Sequence, residues 1–246
     1  MNTILILRGW GSSFKNWVDF INLLNNRGYK VYSPDLPGFG DTPLPSQPWS
    51  VDDYAKWVKE FCEKENLSQF FLFGHSFGGR IAIKFVVRYP EKIRGLILVN
   101  AAGVRREENL DLRQKIILKI SRIINFILAA PLFSWFSFPF RGLAYFLAGT
   151  RDFYLIKNPV MKETFKKVIA EDLSPFLPKI KIKTLIVWGE KDKMVPLKNA
   201  YLIKEKISNS TLKIISNIGH NPHREAPEKL AEIIGNFSGL KPDVSP

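Results

Sequence analysis

The chain has 246 residues and a mass of 28.2 kDa, with 46% hydrophobic residues, a formal net charge of +13 and one cysteine, Cys62. That length is enough for one α/β domain with a large buried core and an insertion, while a single thiol excludes an internal disulfide and any multi-cysteine zinc site. The positive charge raises nucleic acid or anionic membrane as partners, but the lysines are spread along nearly every predicted helix and no basic block is interleaved with aromatics as a base-stacking platform, so no nucleic-acid partner is expected.

Met1 to Arg8 carries an apolar run too short for a signal peptide, with no basic region before it. It is read as the first strand, Ile4 to Leu7, and a cytoplasmic location is expected. A helical pattern over Trp17 to Arg27, a short strand over Val31 to Ser33 and a helix over Val51 to Asn66, with Cys62 as a core residue, follow. Phe70 to Phe73 is a charge-free aromatic run suited to a buried strand, and Arg80 to Tyr89 sets its charges at 80, 84 and 88 on one helical face before Pro90 stops it. Between them stands Gly74-His75-Ser76-Phe77-Gly78. Strand, glycine-flanked serine and helix in that order read as a nucleophile elbow, a turn sharp enough to strain the serine backbone and raise its hydroxyl above the sheet. Gly74 and Gly78 are expected there because a Cβ would collide with the neighbouring strand or helix, and because glycine tolerates positive φ.

A fourth strand covers Leu96 to Val99, after which the alternation stops until Leu185. Val104 to Lys183 holds 15 Lys and Arg against 7 Asp and Glu and no convincing strand, and reads as a helical insertion. Asp111 to Ala130 is amphipathic, with Leu112, Ile116, Ile120, Ile123 and Ile127 along one stripe, and Leu132 to Phe140 is an aromatic cluster. Ile123 to Phe140 lacks charge for 18 residues, close to the lower length for a membrane span. Pro131, Pro139, Asn125, Ser134 and Ser137 argue against one, and docking of this basic, aromatic segment on a membrane surface is not the expected reading. Strands at Leu185 to Trp188 and Leu212 to Ile215 and helices at Asn199 to Ile207 and Pro227 to Phe237 complete the pattern. Short buried-type strands alternating with helices mean a parallel sheet covered on both faces.

A serine hydroxyl needs a base, and the base needs a buried acceptor to hold its tautomer. Of the three histidines, only His220 stands in a loop directly after a predicted strand, and parallel strands deliver their following loops to the edge that carries Ser76. His75 lies within the elbow and is expected to shape it, and His223 is expected to face solvent. The acid should also follow a strand. Asp192, in Gly189 to Pro196, is preferred over Glu190, whereas the loop Asn100 to Gly103 offers no carboxylate. The order Ser76, Asp192, His220 is that of the α/β-hydrolase arrangement.

With these motifs in place, the chain resembles the α/β-hydrolase superfamily in its lidded esterase-like branch. The resemblance takes in Arg8-Gly9-Trp10-Gly11, Asp35-Leu36-Pro37-Gly38-Phe39-Gly40, the elbow, Gly189 to Pro196, Gly219-His220-Asn221-Pro222 and Glu225-Ala226-Pro227-Glu228. It implies a core of residues 1–103 and 179–246, a mostly parallel sheet of about six strands and a helical lid over residues 104–178 after the fourth strand; because the first strand stands where the family sheet has an inner one, the family's usual antiparallel opening hairpin is expected to be lacking. It also implies Ser76, Asp192 and His220 as catalytic residues, the backbone N–H groups of Trp10 and Phe77 as oxyanion hole, and no metal or cofactor. The expected activity is hydrolysis of small to medium carboxylic esters through an acyl-enzyme, by a monomer or homodimer. Hydrolysis of a carbon–carbon bond in a dienoate, a membrane-docked lipase and a non-catalytic binding protein are the alternatives. Relatives commonly carry His-Gly where this chain has Arg8-Gly9, and Arg8 is expected either to bond nearby carbonyls or to add positive potential for an acidic acyl group.

Overall fold

The computed structural model describes residues 2–104 and 156–240. Six strands form one sheet in the order β2-β1-β3-β4-β5-β6, every neighbouring pair parallel: β1 (Asn2–Leu7), β2 (Tyr29–Tyr32), β3 (Phe70–His75), β4 (Ile93–Val99), β5 (Thr184–Gly189) and β6 (Ser210–Ile215). The helices are α1 (Val18–Asn26), α2 (Val51–Lys64), α3 (Phe77–Arg88), α4 (Pro159–Ala170), α5 (Lys198–Lys206) and α6 (Pro227–Ser238), with a single turn at Pro222–Glu225. All the strands and helices expected from sequence outside the insertion are present.

Alternation along each strand explains how apolar runs this short cover two faces. Leu5, Leu7, Leu72, Leu96, Leu98, Ile186 and Trp188 point to one face and pack with residues of α2, α3 and α5. Ile4, Ile6, Phe71, Phe73, Ile97, Val99, Leu185 and Val187 point to the other and pack with residues of α1 and α6. Local signals agree with this arrangement. Ser50 and Asp53 form a capping box at the start of α2, and Gly239 closes α6 in a left-handed conformation. Cys62 is buried in α2, where burial pushes its thiol up to about 12. β6 departs from the expected buried type. It is the last strand of the sheet, covered along one edge only, and Thr211, Lys213 and Ile214 are exposed.

The compact unit that holds the sheet comprises Met1–Arg105 and Val160–Pro246. It therefore includes most of α4 and the 3-10 turn Ser174–Lys179, which the sequence reading places in the insertion. The charged face of α3 explains how they are held. Arg80 donates to the carbonyls of Val168 and Glu171 at 2.8 and 2.9 Å. Lys84, buried, pairs with Glu171 at 2.6 Å and Asp52 at 3.1 Å and lies 4.1 Å from the Phe176 ring centre. The amphipathic helix, aromatic cluster and uncharged run expected within 111–140 lie outside the described residues. Among the described residues no helix is long and apolar enough to cross a membrane.

The chain runs from β1 out to β2 and returns to β3 on the other side of β1, so the direction of winding changes between β1 and β3. In an open parallel sheet the crevice at such a switch point, beyond the carboxyl ends of the strands, is where ligands bind. Trp10 follows β1 and Ser76 follows β3, one on each side of it.

Candidate active site

Ser76 joins β3 to α3 with φ 51° and ψ −113°, outside the regions that a residue with a Cβ ordinarily occupies. The surrounding backbone fixes this shape. The Ser76 N–H donates to the Val99 carbonyl at 3.2 Å, and the Ser76 carbonyl accepts from the N–H groups of Gly79 and Ala102 at 3.0 Å each. The positive φ expected at the flanking glycines falls on Ser76 itself, and Gly74 and Gly78 serve by lack of bulk alone. A Cβ at Gly74 would lie 2.7 Å from the Gly78 carbonyl oxygen and 2.8 Å from the Ala82 Cβ, and one at Gly78 would overlap the Leu7 carbonyl. The start of α3 is thus pressed against the end of β1.

That contact brings the first loop to the elbow. An ideal Cβ built on Gly9 falls 3.5 Å from the Ser76 Cβ. The next residue, Trp10, meets the rings of Phe39, Phe77 and Phe165 edge to face at 4.9, 5.1 and 4.9 Å. Phe77 is the first residue of α3, where a backbone N–H has no partner inside its own helix. Among the described residues the N–H groups of Trp10 and Phe77 are both without a hydrogen-bond partner. Arg8 is buried and takes the first of its two expected roles. It pairs with Asp35 and donates to the carbonyls of Pro34 at 3.1 Å and Ser12 at 3.2 Å, tying the loops after β1 and β2 together.

His220 and Asp192 meet. The Nδ1–H of His220 donates to Asp192 Oδ2 at 2.8 Å, and the Asp192 side chain has no exposed surface. The N–H groups of Met194 and Val195 donate to Asp192 Oδ1 at 2.8 and 2.9 Å, and the Asn100 Nδ2–H donates to Oδ2. Burial alone would raise the Asp192 pKa, but the bonds from His220, Asn100 and Val195 outweigh it and hold the carboxyl below its ordinary value. Glu190, the other candidate acid, instead accepts from the Asn217 N–H at 3.0 Å.

The backbone around His220 is bonded on both sides. Glu225 accepts from the N–H groups of Gly219 and Asn221 at 2.7 and 2.9 Å, and the His75 Nε2–H donates to the His220 carbonyl at 2.8 Å. The His75 and His220 ring centres lie 4.9 Å apart, so the base candidate packs on the residue just before Ser76. His223 does not face solvent as expected. Pro222 starts a helical turn that directs His223 inward, where it stacks on Trp17 with ring centres 3.7 Å apart. Neither Asn100 nor Glu225 is marked as a site residue by its type or spacing, although Glu225 belongs to one of the motifs that carry the resemblance. The signal available for Asn100 was its position at the end of a buried strand, where asparagine tolerates a left-handed backbone; its φ is 45°. Among the described residues no group of three or more His, Cys, Asp or Glu is placed to hold a metal ion.

Two buried neutral histidines make the fold sensitive to acid. Burial, with the neighbouring His220, lowers the His75 pKa to about 3; burial, with His75 and Arg224, lowers that of His223 to about 2. Both folded values lie below the unfolded value near 6.5. The unfolded chain therefore takes up protons first, and the stability present above about pH 6.5 is lost as pH falls toward the folded values. The pair is expected to remove about 4 kcal/mol of unfolding free energy between pH 7 and pH 5, measured by urea unfolding at the two values. A change under about 1 kcal/mol would mean that these rings take up protons in the native state.

A family model described as alpha/beta hydrolase fold matches residues 2–227. Monoacylglycerol lipase ABHD6 of Bos taurus is 27% identical over 254 aligned positions, covering 96% of this chain and 74% of that protein. Pimeloyl-(acyl-carrier protein) methyl ester esterase of Aeromonas hydrophila is 25% identical over 250 positions, covering 96% of this chain and 95% of that one. Among solved structures, an esterase from Exiguobacterium antarcticum superposes with a TM-score of 0.73 at 22% identity, covering 97% of this chain and 92% of that chain.

Proposed function

The chain belongs to the alpha/beta hydrolase fold family, and from that premise we propose that it is a serine hydrolase of small to medium carboxylic esters, with Ser76, His220 and Asp192 as its triad. The observation that carries this reading is the bond from His220 Nδ1–H to the buried Asp192 carboxylate, at the sheet edge from which Ser76 emerges. With its proton held at Nδ1, the neutral imidazole presents Nε2 as a base.

Ser76 Oγ attacks the ester carbonyl carbon as His220 Nε2 takes its proton. The charge that gathers on the carbonyl oxygen is met by the N–H groups of Trp10 and Phe77, which have no other partner among the described residues. One such donor is worth on the order of 10² to 10³ in rate. His220 returns the proton to the departing alcohol, leaving Ser76 acylated. Water then attacks the acyl carbon with His220 again as base, the bond to Ser76 Oγ breaks as His220 returns the proton to that oxygen, and the carboxylic acid leaves. The ring cluster of Trp10, Phe39, Phe77 and Phe165 supports an apolar acyl group.

The test is a substrate panel of nitrophenyl esters of increasing acyl length, a 1-monoacylglycerol, a dicarboxylate monomethyl ester and a ring-cleavage dienoate. The monoacylglycerol and methyl ester follow the names of the two relatives. Ester turnover exceeding that of the dienoate is expected. Turnover of the dienoate greater by orders of magnitude would replace the reading with carbon–carbon bond hydrolysis, and ligand binding without repeated turnover would replace it with a binding protein.

A further inference from the structure

We infer that Asn100 is a positioning residue of this site, one that fixes the Asp192 carboxylate toward His220 and shares the oxygen on which the His220 proton is held. The inference rests on the ester-hydrolase reading. Asn100 follows β4, has no exposed surface and is the neighbour of Ala101 and Ala102, in a loop without a carboxylate. Its side chain nevertheless reaches the loops after β5 and β6. Nδ2–H donates to Asp192 Oδ2 and lies 3.3 Å from the Gly219 carbonyl, while Oδ1 accepts from the Gly189 N–H at 3.3 Å. The Asn100 N–H donates to the Val187 carbonyl at 3.0 Å, which extends the β4–β5 pairing by one step and anchors the residue.

An amide suits this position for a chemical reason. Gly189 presents a donor, and Gly219 and Asp192 present acceptors, so the residue between them must accept on one side and donate on the other. The left-handed backbone, φ 45°, adds a second demand that asparagine meets better than most residues with a Cβ. The amide also fixes rotation. Asp192 Oδ1 is held by Met194 and Val195, and Oδ2 takes Asn100 and His220, so the carboxylate plane is set by donors on both oxygens.

Sharing Oδ2 bears on basicity. A donor from Asn100 takes up part of the charge that otherwise favours the His220 imidazolium. The titratable and charged groups facing His220 and its loop among the described residues are Asp192 and Glu190 after β5, His75 at the end of β3, and His223, Arg224 and Glu225 of its own turn. Asn100 is neither titratable nor charged, and it acts through Asp192.

The experiment compares Asn100→Gly, Asn100→Asp and Ser76→Ala with the unchanged protein on one nitrophenyl ester, reading kcat, KM, the pH dependence of kcat/KM and the thermal midpoint. Glycine removes the side chain while accepting the left-handed backbone. Aspartate keeps the shape and the backbone tolerance but sets a like charge beside Asp192. Asn100→Gly is expected to lower kcat by about 10- to 100-fold with KM little changed, the loss of one bond to a charged group. Its acidic limb should move up, since the charge on Oδ2 is then no longer shared with a second donor. Asn100→Asp, read alone should the glycine variant fail to fold, is expected to lose more kcat as pH rises and the two carboxyl groups both ionise. Unchanged kcat and limb in the variants that fold would overturn the inference, as would a kcat lowered only in proportion to the folded fraction with the limb in place. Turnover surviving in Ser76→Ala would instead overturn the reading beneath it.

Discussion

Ser76→Ala is expected to lower kcat for ester hydrolysis by on the order of 10⁶, with the thermal midpoint little changed. The loss follows because no other side chain at the elbow supplies a nucleophile: the residues around Ser76 are glycines, His75 and Phe77. His75 is buried, held neutral, and donates its Nε2–H to the His220 carbonyl. The fold should survive because the strained backbone is held by main-chain bonds from Val99, Gly79 and Ala102, none of which uses the hydroxyl. Alanine also carries a Cβ at the same φ of 51°, so it neither adds nor relieves strain. The check is kcat on the best ester of the panel together with a thermal melt. Turnover within about tenfold of the unchanged protein would remove Ser76 from the chemistry, and with it the covalent mechanism.

Asp192→Asn should lower kcat by about 10⁴, and the reason is visible in the donors around it. Four N–H groups converge on the carboxylate: Met194 and Val195 on Oδ1, Asn100 and His220 on Oδ2. An ionised carboxylate accepts all four, whereas an amide must point its NH₂ at one of the two pairs. Turned toward Met194 and Val195, it opposes two fixed backbone donors. Turned the other way, it opposes Asn100 and drives the His220 proton from Nδ1 to Nε2, which takes the lone pair away from Ser76. Both arrangements are unfavourable, and the second ends base catalysis. Glu190→Gln is the companion measurement, since among the described residues the Glu190 side chain accepts from the Asn217 backbone N–H within the same pair of loops and should keep nearly full kcat. A similar loss in both variants would assign the effect to loop structure, and a loss in Glu190→Gln alone would transfer the role of acid.

The strands were legible because a strand buried on both faces must be apolar at successive positions, and Phe70 to Phe73 or Leu185 to Trp188 admit little else. The elbow was legible because close backbone approach demands glycine at 74 and 78, a local requirement that leaves a local trace. The burial of His223 is not legible, for the opposite reason. Its surroundings, Pro222 and Arg224, look like a surface turn, and the rings that cover it, Trp17 and His75, come from far earlier in the chain. The exposure of β6 is not legible because a run such as Leu212 to Ile215 does not say whether its strand is central or last in the sheet.

The sequence by itself determined the alternation of strands and helices, the strained turn at Ser76, and the loops in which Asp192 and His220 stand, since each is written in residues adjacent along the chain. The tertiary structure alone decided that these two side chains meet, that Asn100 and Glu225 hold them, that Arg8 is committed to Asp35, and that His75 and His223 are kept neutral. The physical reason is the parallel sheet. It gathers at one edge loops that are distant in sequence, and the partner of a buried polar atom is set by which strands lie side by side, information that no short stretch of the chain carries.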